Sequence, residues 1–120
     1  MKEKQAAVYF AIIARFAVQI ENRTKGLQTY EDRTLLIKAK SVEEAQQKLT
    51  KGFDDYAEPY LNHLGELVRW KFEAFIDSYQ TNYDSLEAML ADEDVGIEVF
   101  SQLKKRRLNR NRIWVRENKK

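Results

Sequence analysis

The sequence predicts an α+β fold: a small, mostly antiparallel sheet of about four strands with one main helix on one face, in the order β-β-α-β-(α)-β, followed by a basic C-terminal tail. Three observations carry this prediction. Several stretches alternate apolar and polar residues with a period of two, as half-buried strands do. Residues 41–56 instead show helical spacing behind a capping sequence. Residues 104–120 hold nine Lys or Arg and one acid.

Length and composition narrow the class of protein. A chain of 120 residues with 43% hydrophobic residues suits one domain with a single core. It has no cysteine, which excludes disulfides, thiolate zinc sites and cysteine nucleophiles. The N-terminal apolar run is interrupted by Arg15, and no run approaches the roughly 18 residues of a membrane span. We therefore expect a cytoplasmic protein that has no membrane partner.

The first two strands form the predicted hairpin. From Val8 to Ile20 the even-numbered residues are apolar and the odd-numbered residues become polar, which indicates one buried face. Tyr30 to Lys40 is the second strand. The connection between them contains Gly26 and is short, so we expect antiparallel pairing.

A helix is predicted to begin at Ser41. Glu44 stands three positions later, so the two side chains form a capping box that satisfies N–H groups of the first turn. Pro59 ends the helix. One face carries the apolar stripe: Val42, Ala45, Leu49, Phe53 and Tyr56.

The remaining elements follow the helix. Leu67–Tyr79 alternates as a third strand, Ser85–Ala91 is a weak helical turn, and Val95–Leu103 is a fourth strand. The composition changes at residue 104. We therefore divide the chain into one α+β domain, residues 1–103, and a basic tail, residues 104–120.

No catalytic, cofactor-binding or metal-binding residue is predicted. The single histidine, His63, lies in a turn and has no neighbouring ligand motif. Asp92–Asp94 lacks the spacing of a calcium loop and is interpreted as a solvated turn. Glu73 and Asp77 are interpreted as solvated strand residues. A metal enzyme built on Asp92–Asp94, Glu98 and His63 is the weakest hypothesis.

Trp70 stands between Arg69 and Lys71, a combination found on sheets that bind nucleic acid. Adjacent strand residues point to opposite faces, so Trp70 cannot stack on bases where its neighbours contact phosphates. We interpret Trp70 as a core residue.

The charge division is the strongest functional indication. Residues 1–103 carry 12 basic and 18 acidic side chains, whereas residues 104–120 carry nine and one. Ile113-Trp114-Val115 gives the tail an apolar anchor, so it either docks on a sheet, stays solvated, binds phosphates or binds an acidic protein. The candidate partner-binding residues are Lys104, Lys105, Arg106, Arg107, Arg110, Arg112, Trp114 and Glu98.

Several motifs resemble one known family. They are Trp70-Lys71-Phe72, Asp77-Ser78-Tyr79, the run Gly96-Ile97-Glu98-Val99-Phe100-Ser101-Gln102-Leu103, and the segment from Ile37 to Ala45. With these the chain resembles the bacterial domain-of-unknown-function family numbered 4288 over about residues 8 to 103. The resemblance implies a small α+β domain and supplies no catalytic residue. Glu98 is its most notable polar position.

These observations lead to two functional hypotheses. The first is a non-enzymatic protein-interaction module, specifically an immunity protein that binds and neutralises an antibacterial toxin, because acidic surfaces steer association with basic proteins. The second is a nucleic-acid-binding accessory protein that uses the basic tail. A homodimer is also open, because a small sheet needs to protect its edge strands.

Overall fold

One antiparallel sheet and one α-helix make up the part of the chain that the computed structural model describes, residues 8–81 and 97–115. The strands are β1 (Val8–Ile20), β2 (Leu27–Ala39), β3 (Tyr60–Leu61), β4 (Leu67–Gln80) and β5 (Ile97–Arg107), and the helix is α1 (Val42–Tyr56). The α+β class is confirmed. The sheet has five strands, not about four. Within the described ranges no helix has the length and apolar character to cross a membrane.

The central strand is β1, in the strand order β3-β4-β1-β2-β5. It pairs antiparallel with β2 on one side and β4 on the other, so that Ile12 lies between Leu35 and Ser78. The β1–β2 hairpin is therefore confirmed. β1 is flanked by a strand on each side and has buried residues on both faces of the sheet. Phe10 and Ile12 are buried on one face, and Tyr9 and Ala11 are buried on the other.

The core lies between the sheet and α1. The side chains of Ile12, Phe16 and Ile37 are fully buried there. Phe16 meets Phe53 of α1 edge to face, with ring centroids 4.9 Å apart. Full burial of one such side chain stabilises the fold by about 1.5–3 kcal/mol. We call the face covered by α1 the helix face, and the opposite one the helix-free face.

The start of α1 confirms the Ser41 half of the predicted capping box, whereas Glu44 reaches the N–H one residue before the cap. Its Oγ accepts a hydrogen bond from the Glu44 N–H at 3.1 Å, while the Glu44 carboxylate accepts one from the Lys40 N–H at 3.4 Å. Ala45 and Leu49 are buried on the predicted apolar stripe, and Val42 and Phe53 pack against the core.

Three strand assignments differ from the sequence prediction. β2 begins at Leu27, because 27–30 pair with β5. β3 lies where the sequence predicts a connection, and it exists because Tyr60 and Leu61 pair with Val68 and Leu67 of β4. β5 does not end at Leu103 but continues to Arg107, since the basic residues keep pairing with β2. The predicted turn of helix at Ser85–Ala91, Asp92–Asp94 and the start of the fourth strand at Val95 lie outside the described residues.

Candidate functional site

The helix-free face carries a charged network that begins at Arg15 and Asp32. These residues are opposite each other on β1 and β2 and therefore share a face. Arg15 donates two hydrogen bonds to the Asp32 carboxylate, at 2.7 Å from Nε and 2.9 Å from Nη2. The Lys104 ammonium group of β5 lies 3.6 Å from the same carboxylate. The hydrogen bonds from Arg15, followed by the charges of Arg15 and Lys104, hold the pKa of Asp32 below its ordinary value.

Glu73 is the second anion of this network. The register between β1 and β4 shifts there: Arg15 faces Ala74 and Phe16 faces Phe72, which leaves Glu73 as the extra residue of a bulge. Its carboxylate receives both Nη groups of Arg106, with Nη1 to Oε2 at 3.0 Å, and Nε of Arg112 at 3.2 Å. The hydrogen bonds from Arg106, reinforced by Arg112, lower the pKa of Glu73.

The Tyr30 ring contacts the arginines that bind the Asp32 and Glu73 carboxylates. The guanidinium carbons of Arg15 and Arg106 lie 4.6 Å and 4.7 Å from the centroid of the Tyr30 ring. Such cation–π contacts stabilise by about 0.5–1 kcal/mol at exposed sites. Arg106 also donates from Nε to Gln28 Oε1 at 3.0 Å. Tyr30 therefore packs against Arg15, which binds Asp32, and against Arg106, which binds Glu73.

Residues 108–115, which we call the C-terminal segment, fold back over this face. The Leu108 N–H donates to the Gly26 carbonyl at 2.7 Å, and the Asn22 N–H donates to the Trp114 carbonyl at 2.9 Å. Between these points lies one turn of 3₁₀ helix, Arg110–Arg112, capped by Asn109. Gln19 Nε2 donates to the Arg112 carbonyl at 3.2 Å. Two backbone hydrogen bonds thus fasten the segment to the β1–β2 turn.

Trp114 is the apolar anchor of the C-terminal segment. It is 8% exposed, and the Arg69 guanidinium lies over its ring at 4.2 Å from the centroid. Arg69 in turn donates from Nε to Gln19 Oε1 at 2.7 Å, and burial lowers the pKa of this guanidinium. Of the alternatives open for the tail, the structure shows docking on the chain's own sheet for residues 108–115.

The structure divides the eight predicted partner-binding residues into two groups. Five have contacts within the chain: Lys104 with Asp32, Arg106 and Arg112 with Glu73, Trp114 with Arg69, and Glu98 with Arg33. The other three, Lys105, Arg107 and Arg110, are exposed. Three of the six basic residues in this set therefore already pair with carboxylates of the same chain.

The outer edge of β5 is the second notable surface. Among the described residues only β2 pairs with β5, so its opposite edge has no strand partner there. Val99, Phe100 and Leu103 are 53%, 60% and 61% exposed. A long edge strand with exposed apolar side chains is a template for pairing with another chain.

Two sequence interpretations are settled by these contacts. Trp70 packs against the core on the face opposite Arg69 and Lys71, as predicted, and its Nε1 donates to the Tyr60 hydroxyl at 3.0 Å. Glu73 is exposed on its strand, as the sequence predicts, but the sequence interpretation missed the two arginines that bind it. The two arginines are 33 and 39 positions away, and no local pattern reveals such pairs.

The remaining described candidates are Asp77, whose carboxylate accepts a hydrogen bond from the Ser78 N–H at 2.8 Å, and His63. His63 is exposed in the turn between β3 and β4. Within residues 8–81 and 97–115 no group of three or more acidic or histidine side chains is arranged to hold a metal ion.

Residues 11–101 match the family model described as Domain of unknown function (DUF4288). The chain belongs to this family. The match spans β1 to the middle of β5 and confirms the resemblance of the strand and helix motifs. No curated protein and no solved structure matches the chain.

We predict that Glu73 makes the stability of this DUF4288 protein depend on pH. Its pKa is lowered in the folded chain, so protonation favours unfolding. The difference in unfolding free energy between the wild type and Glu73→Gln should be constant above about pH 5. It should shrink as the pH falls through about 4.3, the ordinary glutamate pKa, towards the lower pKa of the folded state. Urea unfolding followed by tryptophan fluorescence from pH 7 to pH 3 measures it.

The matched control is Glu58→Gln, which removes an exposed carboxylate. Its difference from the wild type should stay small at every pH. Parallel pH profiles for the wild type and Glu73→Gln would contradict the assignment of a structural ion pair.

Proposed function

We propose that this chain is a non-enzymatic protein-interaction module that binds its partner through the outer edge of β5. The observation that carries the proposal is the exposure of Val99, Phe100 and Leu103 along that edge. An added strand gains main-chain hydrogen bonds from such an edge, and exposed side chains provide specificity.

The arrangement of the two sheet edges supports the choice of β5. The outer side of β4 is covered by β3 at Leu67 and Val68, and its register is interrupted at Glu73 and Ile76. Bulges of this kind discourage strand addition. β5 pairs regularly with β2 from Phe100 to Arg107 and has one register shift, next to Val99. It is the more suitable edge for another strand.

The specific form of the proposal is an immunity protein that binds and neutralises an antibacterial toxin. It is supported by the excess of acids in residues 1–103, with 18 acidic against 12 basic side chains. Such an excess favours association with basic proteins such as nucleases. The exposed side chains of Lys105, Arg107 and Arg110 add positive charge, so a partner would meet charges of both signs.

We predict that Leu103→Lys abolishes partner binding. Leu103 is 61% exposed, so the substitution should leave the fold intact while it places a charge on the β5 edge. The tagged chain, expressed in its native cells, should recover a protein in about equal amounts. That protein is either a foreign chain or an untagged copy, and Leu103→Lys should lose it.

Leu64→Lys is the matched control, because it makes the same change at a 69% exposed leucine in the β3–β4 turn. It should retain the partner. Recovery of nucleic acid without any stoichiometric protein, or equal recovery by Leu103→Lys, would overturn the proposal.

The second candidate function is nucleic-acid binding, and the exposure of Lys105, Arg107 and Arg110 favours it. Deleting residues 104–120 is a poor test, because Lys104–Arg107 belong to β5. We instead predict, on this alternative, that a triple Gln variant of these three residues weakens binding. The slope of log K against log salt should fall by about one unit for each phosphate that the variant no longer neutralises.

A filter-binding titration across salt concentrations measures this slope. The control removes the same number of charges at three exposed lysines elsewhere: Lys25, Lys40 and Lys51. Equal slopes for both triple variants, or no binding by the wild type, would exclude this function.

A further inference from the structure

We propose that the strand added to the β5 edge carries acidic side chains opposite Lys105 and Arg107 and an apolar side chain opposite Leu103. The occupant of the edge is thus an extended protein segment with two acids at alternate positions and an apolar residue at the next alternate position. This inference rests on the proposed function and names the chemistry of the partner segment.

The four cations at the end of β5 alternate between the two faces of the sheet. Lys104 and Arg106 lie on the helix-free face, where they pair with the carboxylates of Asp32 and Glu73. The cations at positions 105 and 107 therefore lie on the helix face, away from both carboxylates.

Lys105 and Arg107 have no counter-charge on the helix face. Both side chains are exposed, and neither forms an ion pair with an acid of the described part of the chain. The residues opposite them on β2 are Thr29 and Leu27, which are uncharged. Directly opposed charges of opposite sign stabilise a strand pair. Acids on a strand at the outer edge of β5 would supply the missing partners.

Leu103 extends this row with an apolar side chain. It lies two residues before Lys105 on the same face and is 61% exposed. Every strand pair of the sheet is antiparallel, so we assign the added strand that direction. Read from its N-terminus, the strand then offers an acid opposite Arg107, an acid opposite Lys105 and an apolar residue opposite Leu103.

The useful length of the edge runs from Phe100 to Arg107. Over this stretch β5 pairs with β2 without interruption, and the register shift next to Val99 ends it. Phe100 is 60% exposed on the helix-free face, where a second apolar side chain of the added strand would contact it. A segment of about eight residues in extended conformation spans this length.

The requirement concerns the side chains in direct contact and not the total charge of the partner. The excess of acids in residues 1–103 acts over a longer distance and favours approach of a basic protein. A basic protein that presents one acidic edge strand satisfies both conditions. A strand with Lys or Arg at the two positions is disfavoured, because like charges directly opposite each other destabilise the pair.

A designed octapeptide tests this chemistry directly. The probe is fluorescein-labelled Glu-Thr-Glu-Thr-Val-Thr-Thr-Val, which in the antiparallel register places Glu opposite Arg107 and Lys105, and Val opposite Leu103 and Phe100. The matched control peptide has Lys in place of both Glu residues. In fluorescence polarisation with the purified full chain, the Glu peptide should bind at least about fivefold more tightly than the Lys peptide.

Charge reversal on the chain locates the binding. Lys105→Glu/Arg107→Glu should reverse the preference, so that the Lys peptide binds more tightly. The control Lys40→Glu/Lys51→Glu makes the same change at two exposed lysines outside β5 and should keep the wild-type preference. A reversed preference requires a folded edge, so it cannot result from unfolding of the variant.

Three results would overturn the proposal. They are no binding of the Glu peptide by the wild type at about 1 mM, the concentration that half-saturates a site with a millimolar Kd, equal binding of the two peptides, and an unchanged preference in Lys105→Glu/Arg107→Glu.

These outcomes are separable from failure of the proposed function. If the Glu peptide fails but the native-cell experiment recovers a protein that Leu103→Lys loses, the β5 edge binds a partner and the acidic strand is wrong. If the peptide preference reverses as expected but no protein is recovered from cells, the chemistry of the edge holds and the proposed function fails.

Discussion

The carboxylates of Glu73 and Asp32 must have cationic partners, and this requirement organises one whole face of the sheet. The Asp32 side chain is largely withdrawn from water, with 11% exposure, whereas the Glu73 side chain is partly accessible, with 26% exposure. An unpaired charge in such a position is costly. Arg15 supplies part of the compensation from the central strand, and the rest comes from Lys104, Arg106 and Arg112. The acidic body of the chain therefore depends on its basic C-terminal end.

This dependence gives the charge division of the sequence a structural meaning. A basic stretch after an acidic domain suggests an external anionic partner, yet several of its cations bind anions of the same chain. β5 is drawn into the sheet beside β2, and the C-terminal segment is drawn back across the helix-free face to the β1–β2 turn. In the described part of the basic stretch, residues 104–115, the cations that stay exposed are Lys105, Arg107 and Arg110, beside the apolar outer edge of β5. That edge is the basis of the proposed protein-binding function.

The sequence correctly predicts those elements that depend on residues close together in the chain. The period of two predicts β1 from Val8 to Ile20 without error, and the pair Ser41 and Glu44 locates the start of α1. These features depend on neighbouring residues, which the sequence displays. The start of β4 at Leu67 follows from the same alternation.

The features that sequence reasoning missed are formed by distant residues. β3 is two residues long and exists through its pairing with β4. The end of β5 was misjudged because alternation of apolar residues stops at Leu103, whereas Lys104 and Arg106 are held opposite Tyr30 and Gln28. The ion pairs of Glu73 depend on a bulge and on arginines from two other segments. The anchor role of Trp114 was among the alternatives, but its contact with Arg69 was not.

Hydrogen exchange of two backbone amides tests most directly whether the C-terminal segment is part of the fold. The Leu108 amide donates to Gly26, and the Asn22 amide donates to Trp114. In the full chain at neutral pH both should exchange roughly a hundredfold or more slowly than in an unstructured peptide, because each opens only when the segment detaches. Exchange of both amides at the unstructured rate, while β1 amides stay protected, would contradict the account and return the segment to a free basic tail.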